Sequence, residues 1–366
     1  MTTRMMRLPQ GDLPSPLFLP DATFGVVRSV DSEDLKAVGV EALVMNTFHL
    51  MQKPGSAIIQ SLGGLHKMSH WDRSLVTDSG GFQAFSLIRQ NPKFGSLQEK
   101  GIIFQPEGSQ RKYQLTPEKS VQLQLGFGSD VVICLDDCTH VDEGYEEQKT
   151  SVERTIKWAR LGKKEFTRII EQKKLSEESR PRLYAVVQGG GYKDLRLKCA
   201  EALLEIGFDG FGYGGWPLDK ENHLLTEIVG YTREIIPVEF PMHALGIGHP
   251  ENVLTCFDLG YDIFDCAMPT RDARHGRLYT FVNSPDSENG GLSGDWLKYL
   301  YINDEEHMHR NRAISEHCDC PCCTNYSLGY LHHLFKMGDS LFMRLATLHN
   351  LRFMTQLCDR IRMRQA

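Results

Sequence analysis

The most chemically suggestive stretch of the chain is Tyr261 to Gly276, YDIFDCAMPTRDARHG. Ile263 and Phe264 lead into Asp265, after which come a Pro and a string of basic and polar residues. A buried parallel strand that delivers an acid to the rim of an α/β sheet has this pattern, and such folds keep their active sites there. Asp265 is accordingly read as a nucleophile. Other strand-like runs also end in polar or glycine positions: Asn46, Asp78, Asp136 with Asp137, Gln188, the pair Gly214 and Gly215, and the pair Gly246 and Gly248. A single Asp after a strand is more often a helix cap or turn former. Acids, amides and glycine turns converging on one rim suit glycosyl chemistry, in which one carboxylate attacks an anomeric carbon while another manages protons. Glycine turns also let backbone N–H groups approach a planar ligand closely.

A second cluster lies near the C-terminus, where four of the ten cysteines fall within residues 318 to 323. Cys318, Cys320 and Cys323 have C-x-C-x2-C spacing, and His349 follows in a helix expected to begin near Asp339. Three thiolates and an imidazole make a closed tetrahedral zinc site with no place for water, hence a structural one. On spacing alone, Cys322 can replace either neighbour, and His332 or His333 can replace His349. The N-terminus, MTTRMMRLPQGDL, has no secretory segment, which favours thiols or metal sites over a disulfide framework.

The elements that must position these residues repeat one grammar: a β-rich run of about five residues, a polar or glycine end, then a helical stretch. The runs begin at Leu17, Ala42, Leu75, Asp130, Leu183, Phe208, Met242 and Tyr261, which makes eight. Helix starts are expected at Ser32, at Thr116 before a first-turn Pro, and at Pro250. Eight such units predict an α/β fold of the (β/α)8 TIM-barrel type, in preference to an open doubly wound sheet. Residues 87 to 115 interrupt the repeat, with two alternating runs around Pro106-Glu107-Gly108 that read as an inserted β-hairpin. After the Ser/Gly/Asn-rich loop from Ser284, the chain becomes helical and cysteine-rich. The expected division is a barrel over 1–285 and a helical zinc-binding subdomain over 286–366, packed on the barrel.

With 41% hydrophobic residues the chain can fill a substantial core, yet no window is apolar for the length of a membrane span, so a cytoplasmic protein is expected. A net charge of −6 gives no global sign of nucleic-acid binding. Such a role would rest on a local patch, and Arg271 and Arg274, with His275 beside them, are the nearest to the Asp265 carboxylate. On spacing alone these are a solvated basic loop.

TDSGGFQ (Thr77 to Gln83), LDDCT (Leu135 to Thr139), VVQGG (Val186 to Gly190), YGGWP (Tyr213 to Pro217) and FDCAMPTRDARHG resemble the signature blocks of tRNA-guanine transglycosylases. CDCPCC with the downstream His349 extends the resemblance, which spans nearly the whole chain in order. It implies an enzyme of queuosine synthesis that exchanges the wobble guanine of GUN-anticodon tRNAs for a free 7-deazaguanine base. Asp265 resembles the family nucleophile and Asp78 the acid/base carboxylate. Asp136, Gln188, Gly215 and the preceding Gly214 match base-recognition positions, and Phe82 and Leu245 match apolar residues that sandwich the base. Placed at the rim beside a ribose-attacking carboxylate, Arg271 and Arg274 are expected to hold anticodon phosphates; the resemblance also implies one structural Zn2+ on Cys318, Cys320, Cys323 and His349, and a homodimer formed through the zinc-bearing region.

Departures from the family pattern bear on the incoming base. Bacterial members carry a Leu-Ala-Val-Gly-Glu run after the glycine pair, whereas this chain has Trp216-Pro217-Leu218-Asp219-Lys220. A cation at the Glu position does not welcome an ammonium substituent. Cys138, by contrast, matches the bacterial pocket. The short N-terminus implies that part of the usual barrel-capping hairpin is missing. The incoming base is left open among 7-aminomethyl-7-deazaguanine, 7-cyano-7-deazaguanine and queuine. Other readings are a non-catalytic partner subunit, which the presence of both Asp78 and Asp265 opposes, a DNA-modifying paralogue, and a plain zinc-containing glycosidase.

Overall fold

The computed structural model of the protein describes residues 3–105, 112–140 and 142–364. Its centre is an eight-stranded all-parallel barrel built from β1 (Leu17–Pro20), β2 (Ala42–Met45), β3 (Ser74–Thr77), β4 (Val131–Ile133), β5 (Arg182–Val187), β6 (Gly210–Tyr213), β7 (Met242–Ala244) and β8 (Ile263–Cys266). Each strand pairs with its neighbours in chain order, and β8 returns to β1 with Asp265 opposite Leu19. Between β1 and β2 closure is narrow: a bridge from Asp21 to Val44 and the bond from Ala22 N to Val44 O, 2.8 Å. All eight strand positions read from the sequence are observed, because short β-rich runs bounded by Gly and polar residues leave little else for those segments to form.

In-out alternation along these strands divides the core. Leu17, Leu19, Ala42, Val44, Val76, Val131, Ile133, Tyr184, Val186 and Ile263 fill the barrel interior. Their sequence neighbours Phe18, Leu43, Leu75, Val132, Ala185 and Phe264 face the helices in a larger, continuous cluster. Met6 and Leu8 join the interior cluster from an antiparallel hairpin of Met5–Leu8 with Gly11–Pro14. A short hairpin therefore caps the barrel floor. MMRL and its partner GDLP supply enough alternating apolar residues to close the floor.

The insertion after β3 is a three-stranded antiparallel sheet of Gly95–Gln98, Gly101–Phe104 and Tyr113–Leu115. The expected hairpin accounts for its last two strands, while the turn placed at Pro106-Glu107-Gly108 lies outside the described residues. Thr116 caps the helix Pro117–Phe127 as expected, and the helix Ser32–Ala37 is capped one residue earlier, by Asp31. After β8, a strand pair of Arg277–Phe281 with Leu297–Tyr301 spans the loop at Ser284. The long terminal helix Ser340–Met363 then lies against the barrel. Arg362 bonds to Pro16 O at 2.8 Å, Thr355 to Val38 O at 2.7 Å, and Arg344 forms an ion pair with Asp34. Among the described residues no helix is long and apolar enough to cross a membrane.

Candidate active site and metal centre

The alternation that fills the barrel also delivers its rim chemistry. Two residues beyond the inward-facing Leu19, Val44, Val76, Val186 and Ile263 come Asp21, Asn46, Asp78, Gln188 and Asp265, so each points into the same mouth. Asp265 Oδ1 lies 2.8 Å from His243 Nε2 and accepts the Gly246 N–H at 3.0 Å, with the side chain 18% exposed. Gly246 sits at φ 73°, a backbone that favours glycine and aims its N–H at the acid.

Asp78 is held by four donors. Oδ1 accepts the N–H groups of Thr47 and Gly80 at 3.0 and 3.1 Å, and Oδ2 accepts Asn46 Nδ2 at 2.5 Å and Gln83 Nε2 at 3.3 Å. Burial nevertheless pushes its carboxyl up to about 7, and the negative charges of Asp265 and Asp21 add to the rise. Asp21 is itself raised by burial and by Asp265. These three carboxyls therefore feel one another. Sequence reasoning missed Asp21, although its place two residues past an inward Leu is the signal that marks the others.

The second wall is a carboxylate and amide pair. Gln188 Nε2 donates to Asp136 Oδ2 at 2.7 Å, and burial raises the Asp136 carboxyl to about 6. Among the described residues Gln188 Oε1 is buried without a partner, so an acceptor waits there for a ligand donor. Gly214 makes room for the amide: a Cβ at that position would lie 2.5 Å from Gln188 Nε2. Gly215, at φ 88°, and the buried Cys138 border the same amide. Asp137 turns the other way, where it pairs with Arg154 and its N–H bonds to Thr155 at 3.0 Å, leaving it outside the pocket.

Arg196, buried on the helix Lys193–Ile206, was not anticipated. Its guanidinium donates to the carbonyls of Val187, Gly190 and Gly214 at 2.6, 2.9 and 3.0 Å, tying two rim turns together. An Arg in an amphipathic helix reads as a surface residue, so the sequence carried no signal for it.

At the mouth stand two exposed aromatic rings, Phe82 and Trp216, with centroids 6.4 Å apart and planes within 19°. His140 stacks on Trp216 at 6.5 Å. Leu245 is half-buried beside Gly212. Lys220 is 75% exposed and pairs with Asp142 at 3.6 Å, so its charge is engaged at the surface. Arg271 and Arg274 occupy a short helix, Met268–Arg274, where a basic loop was expected. Arg271 is exposed, while Arg274 is half-buried with Nη1 unpartnered, and burial together with Arg28 and Arg271 lowers its proton affinity. A guanidinium with a buried N–H unpartnered among the described residues, crowded by two others, is a ready anion site.

In the C-terminal part of the chain, Cys318, Cys320, Cys323 and His349 present one ligand atom each, all within 4.8 Å of one another. His349 Nδ1 lies 3.3 Å from Cys323 Sγ and 3.8 Å from Cys320 Sγ. Tetrahedral zinc with Zn–S near ~2.3 Å and Zn–N near ~2.0 Å requires ligand separations of roughly 3.5 Å. His349 Nε2 bonds to Tyr279 O at 2.8 Å, which leaves Nδ1 free to ligate. The donor set fits one structural zinc ion. Cys322, His332 and His333, which spacing left open, are not in this group.

The family model for queuine tRNA-ribosyltransferase (TGT) matches residues 3–364. Among curated proteins, the queuine tRNA-ribosyltransferase of Caldanaerobacter subterraneus subsp. tengcongensis is 37% identical over 358 residues, covering 98% of this chain and 88% of that protein. Those of Thermoanaerobacter sp. (strain X514) and Psychrobacter cryohalolentis are each 36% identical with the same coverage. A match of this extent, on a barrel with this rim and this metal cluster, places the chain in the queuine tRNA-ribosyltransferase family.

Proposed function

We propose that the protein exchanges the wobble guanine of GUN-anticodon tRNAs for a 7-deazaguanine base through a covalent link between Asp265 and the ribose. The observation that carries this reading is the presence at one mouth of Asp265, partly exposed, and the buried Asp78, whose carboxyl is pushed up to about 7 by burial first and then by the charge of Asp265. Retaining glycosyl transfer needs these two roles, a nucleophile and a group that can give and take a proton. Ionised Asp136 accepts from the N1–H and N2–H2 of guanine, a donor pair that adenine lacks. The unpartnered Gln188 Oε1 stands beside that carboxylate. Because a stacked base cannot reach the pocket, the nucleotide is flipped out, and Arg271 and Arg274 hold flanking phosphates.

The incoming base meets Trp216 more directly than Lys220. A planar ring between Phe82 and Trp216 needs about twice the ~3.4 Å spacing of stacked bases, close to their 6.4 Å separation. Phe82 and Leu245 are the alternative sandwich. The protein pairs as a homodimer through the metal-bearing region, where Met308, Tyr330, Met337 and Met343 are exposed; a sedimentation mass of one chain would remove that assignment.

Exchange of labelled guanine into GUN tRNA, with duplex DNA in parallel and the three candidate bases in competition, tests the function. Asp265→Asn is expected to abolish exchange and the denaturant-stable RNA adduct. Retention of the adduct in that variant refutes the nucleophile assignment, and labelling of DNA alone points to the DNA-modifying alternative.

A further inference from the structure

Among the described residues, hydrogen bonds tie one oxygen of Asp265 to the protein. Both of its donors, His243 Nε2 and Gly246 N, converge on Oδ1, and among the described residues nothing donates to Oδ2. His243 is 1% exposed on β7, and its other ring nitrogen, Nδ1, has no partner. Because a carboxylate oxygen can only accept, Nε2 carries the proton. A proton on Nδ1 would be a buried donor with no acceptor among the described residues, so the ring's one hydrogen bond is the Nε2–H to Oδ1. Gly212, beside His243 in the sheet, has no side chain to compete for the interior.

We propose that His243 is a positioning residue that selects Oδ2 of Asp265 as the attacking atom and speeds the second half of the exchange. This rests on the reading of Asp265 as nucleophile. In the first half, an Oδ2 lone pair forms the bond to ribose C1′ while the C1′–N9 bond breaks. Its electron pair leaves with the guanine, which takes a proton from neutral Asp78. Oδ1 becomes the carbonyl oxygen of the ester. In the second half, N9 of the incoming base bonds to C1′, its proton passes to Asp78, and the C1′–Oδ2 pair returns to the carboxylate. Hydrogen bonds to a carboxylate are stronger than those to an ester carbonyl, so the His243 and Gly246 donors favour the departing carboxylate over the adduct.

The test compares His243→Phe, which removes the donor, with His243→Gln, which keeps an N–H of similar reach, both as zinc-loaded full chains acting on GUN tRNA. His243→Phe is expected to lower kcat about ten- to a hundredfold, at or below the usual loss of one preorganised donor. The KM for tRNA should fall in step with kcat, so that kcat/KM for tRNA stays within about twofold, while the steady-state fraction of enzyme in the RNA adduct rises. His243→Gln should restore most of kcat and return the adduct fraction toward that of the wild type. His243→Asn, whose amide is too short to reach Oδ1, replaces the Phe variant if that does not fold. Equal adduct fractions in wild type and donor-less variant, whatever the change in kcat, overturn the proposal and mark His243 as a packing residue. Absence of adduct in the wild type itself overturns the nucleophile reading, and the proposal with it.

Discussion

At the scale of single residues, the site is built on carboxyls held where they do not easily ionise. Asp78 accepts four hydrogen bonds, yet burial first, and the charges of Asp265 and Asp21 after it, raise its carboxyl from 3.8 to about 7. An acid with a raised folded-state value is favoured neutral by the fold. Its contribution to stability is complete below the unfolded value and is lost as the pH rises through the folded one. Asp78→Asn removes that loss, since an amide does not ionise. The difference in melting temperature between variant and wild type should therefore move in the variant's favour from pH 4 to pH 8, then level off. Any fixed cost of re-pairing Asn46 and Gln83 cancels in that slope. Exchange should be lost while tRNA binding is kept. A difference that does not change with pH would show that Asp78 is not carrying its proton in the folded protein.

The elements explain why some of this was legible in the sequence. Aspartates and a glutamine two positions beyond inward aliphatic residues announce a rim, because strand alternation converts spacing into direction. Asp265, Asp78 and Gln188 stand at that spacing, and with Asp136 they were read as the polar ends of strand-like runs. His243 and Arg196 were not, since what matters about each is a hydrogen-bond partner on another element that only the fold brings to it. The strand Gly95–Gln98 reads as loop because Gly, Ser and Gln carry little β preference, and only pairing with Gly101–Phe104 extends it. Arg196 shows what the turns cost to hold. Two of its acceptors, the carbonyls of Gly190 and Gly214, lie in the turns that shape the Gln188 and Gly215 wall. Arg196→Met keeps much of the volume but leaves these buried carbonyls unpaired, a loss of roughly 3 kcal/mol or more. Denaturant melts should register that loss. The KM for guanine should rise more than the KM for tRNA, because the displaced wall reads the base; equal rises would deny Arg196 a role in base recognition.

Across the whole molecule, the metal centre and the barrel mouth are joined through one helix. His349, a ligand on Ser340–Met363, is followed by Asn350, which is fully buried. Asn350 donates to Pro269 O at 2.9 Å and Arg277 O at 3.0 Å, and accepts from Tyr279 N at 3.0 Å. Pro269 and Arg277 bracket Arg271 and Arg274 in the chain, so the clamp that fixes the arginine helix sits one residue from the zinc. Asp265 and the Asp136 and Gln188 pair are held instead by barrel strands. Removing the metal should therefore disturb phosphate binding more than base reading. Cys323→Ala, or extraction of the ion by a chelator, is expected to lower zinc below one per chain and the melting temperature by on the order of 10 °C, as for loss of several kcal/mol in a chain of this size. The KM for tRNA should rise and the salt dependence of binding flatten, since fewer phosphates are engaged, while the affinity for free guanine changes little. Loss of guanine affinity in step with tRNA affinity would mean that the metal supports the barrel as a whole. Unchanged tRNA binding in zinc-free protein would break the link from His349 through Asn350 to the arginines.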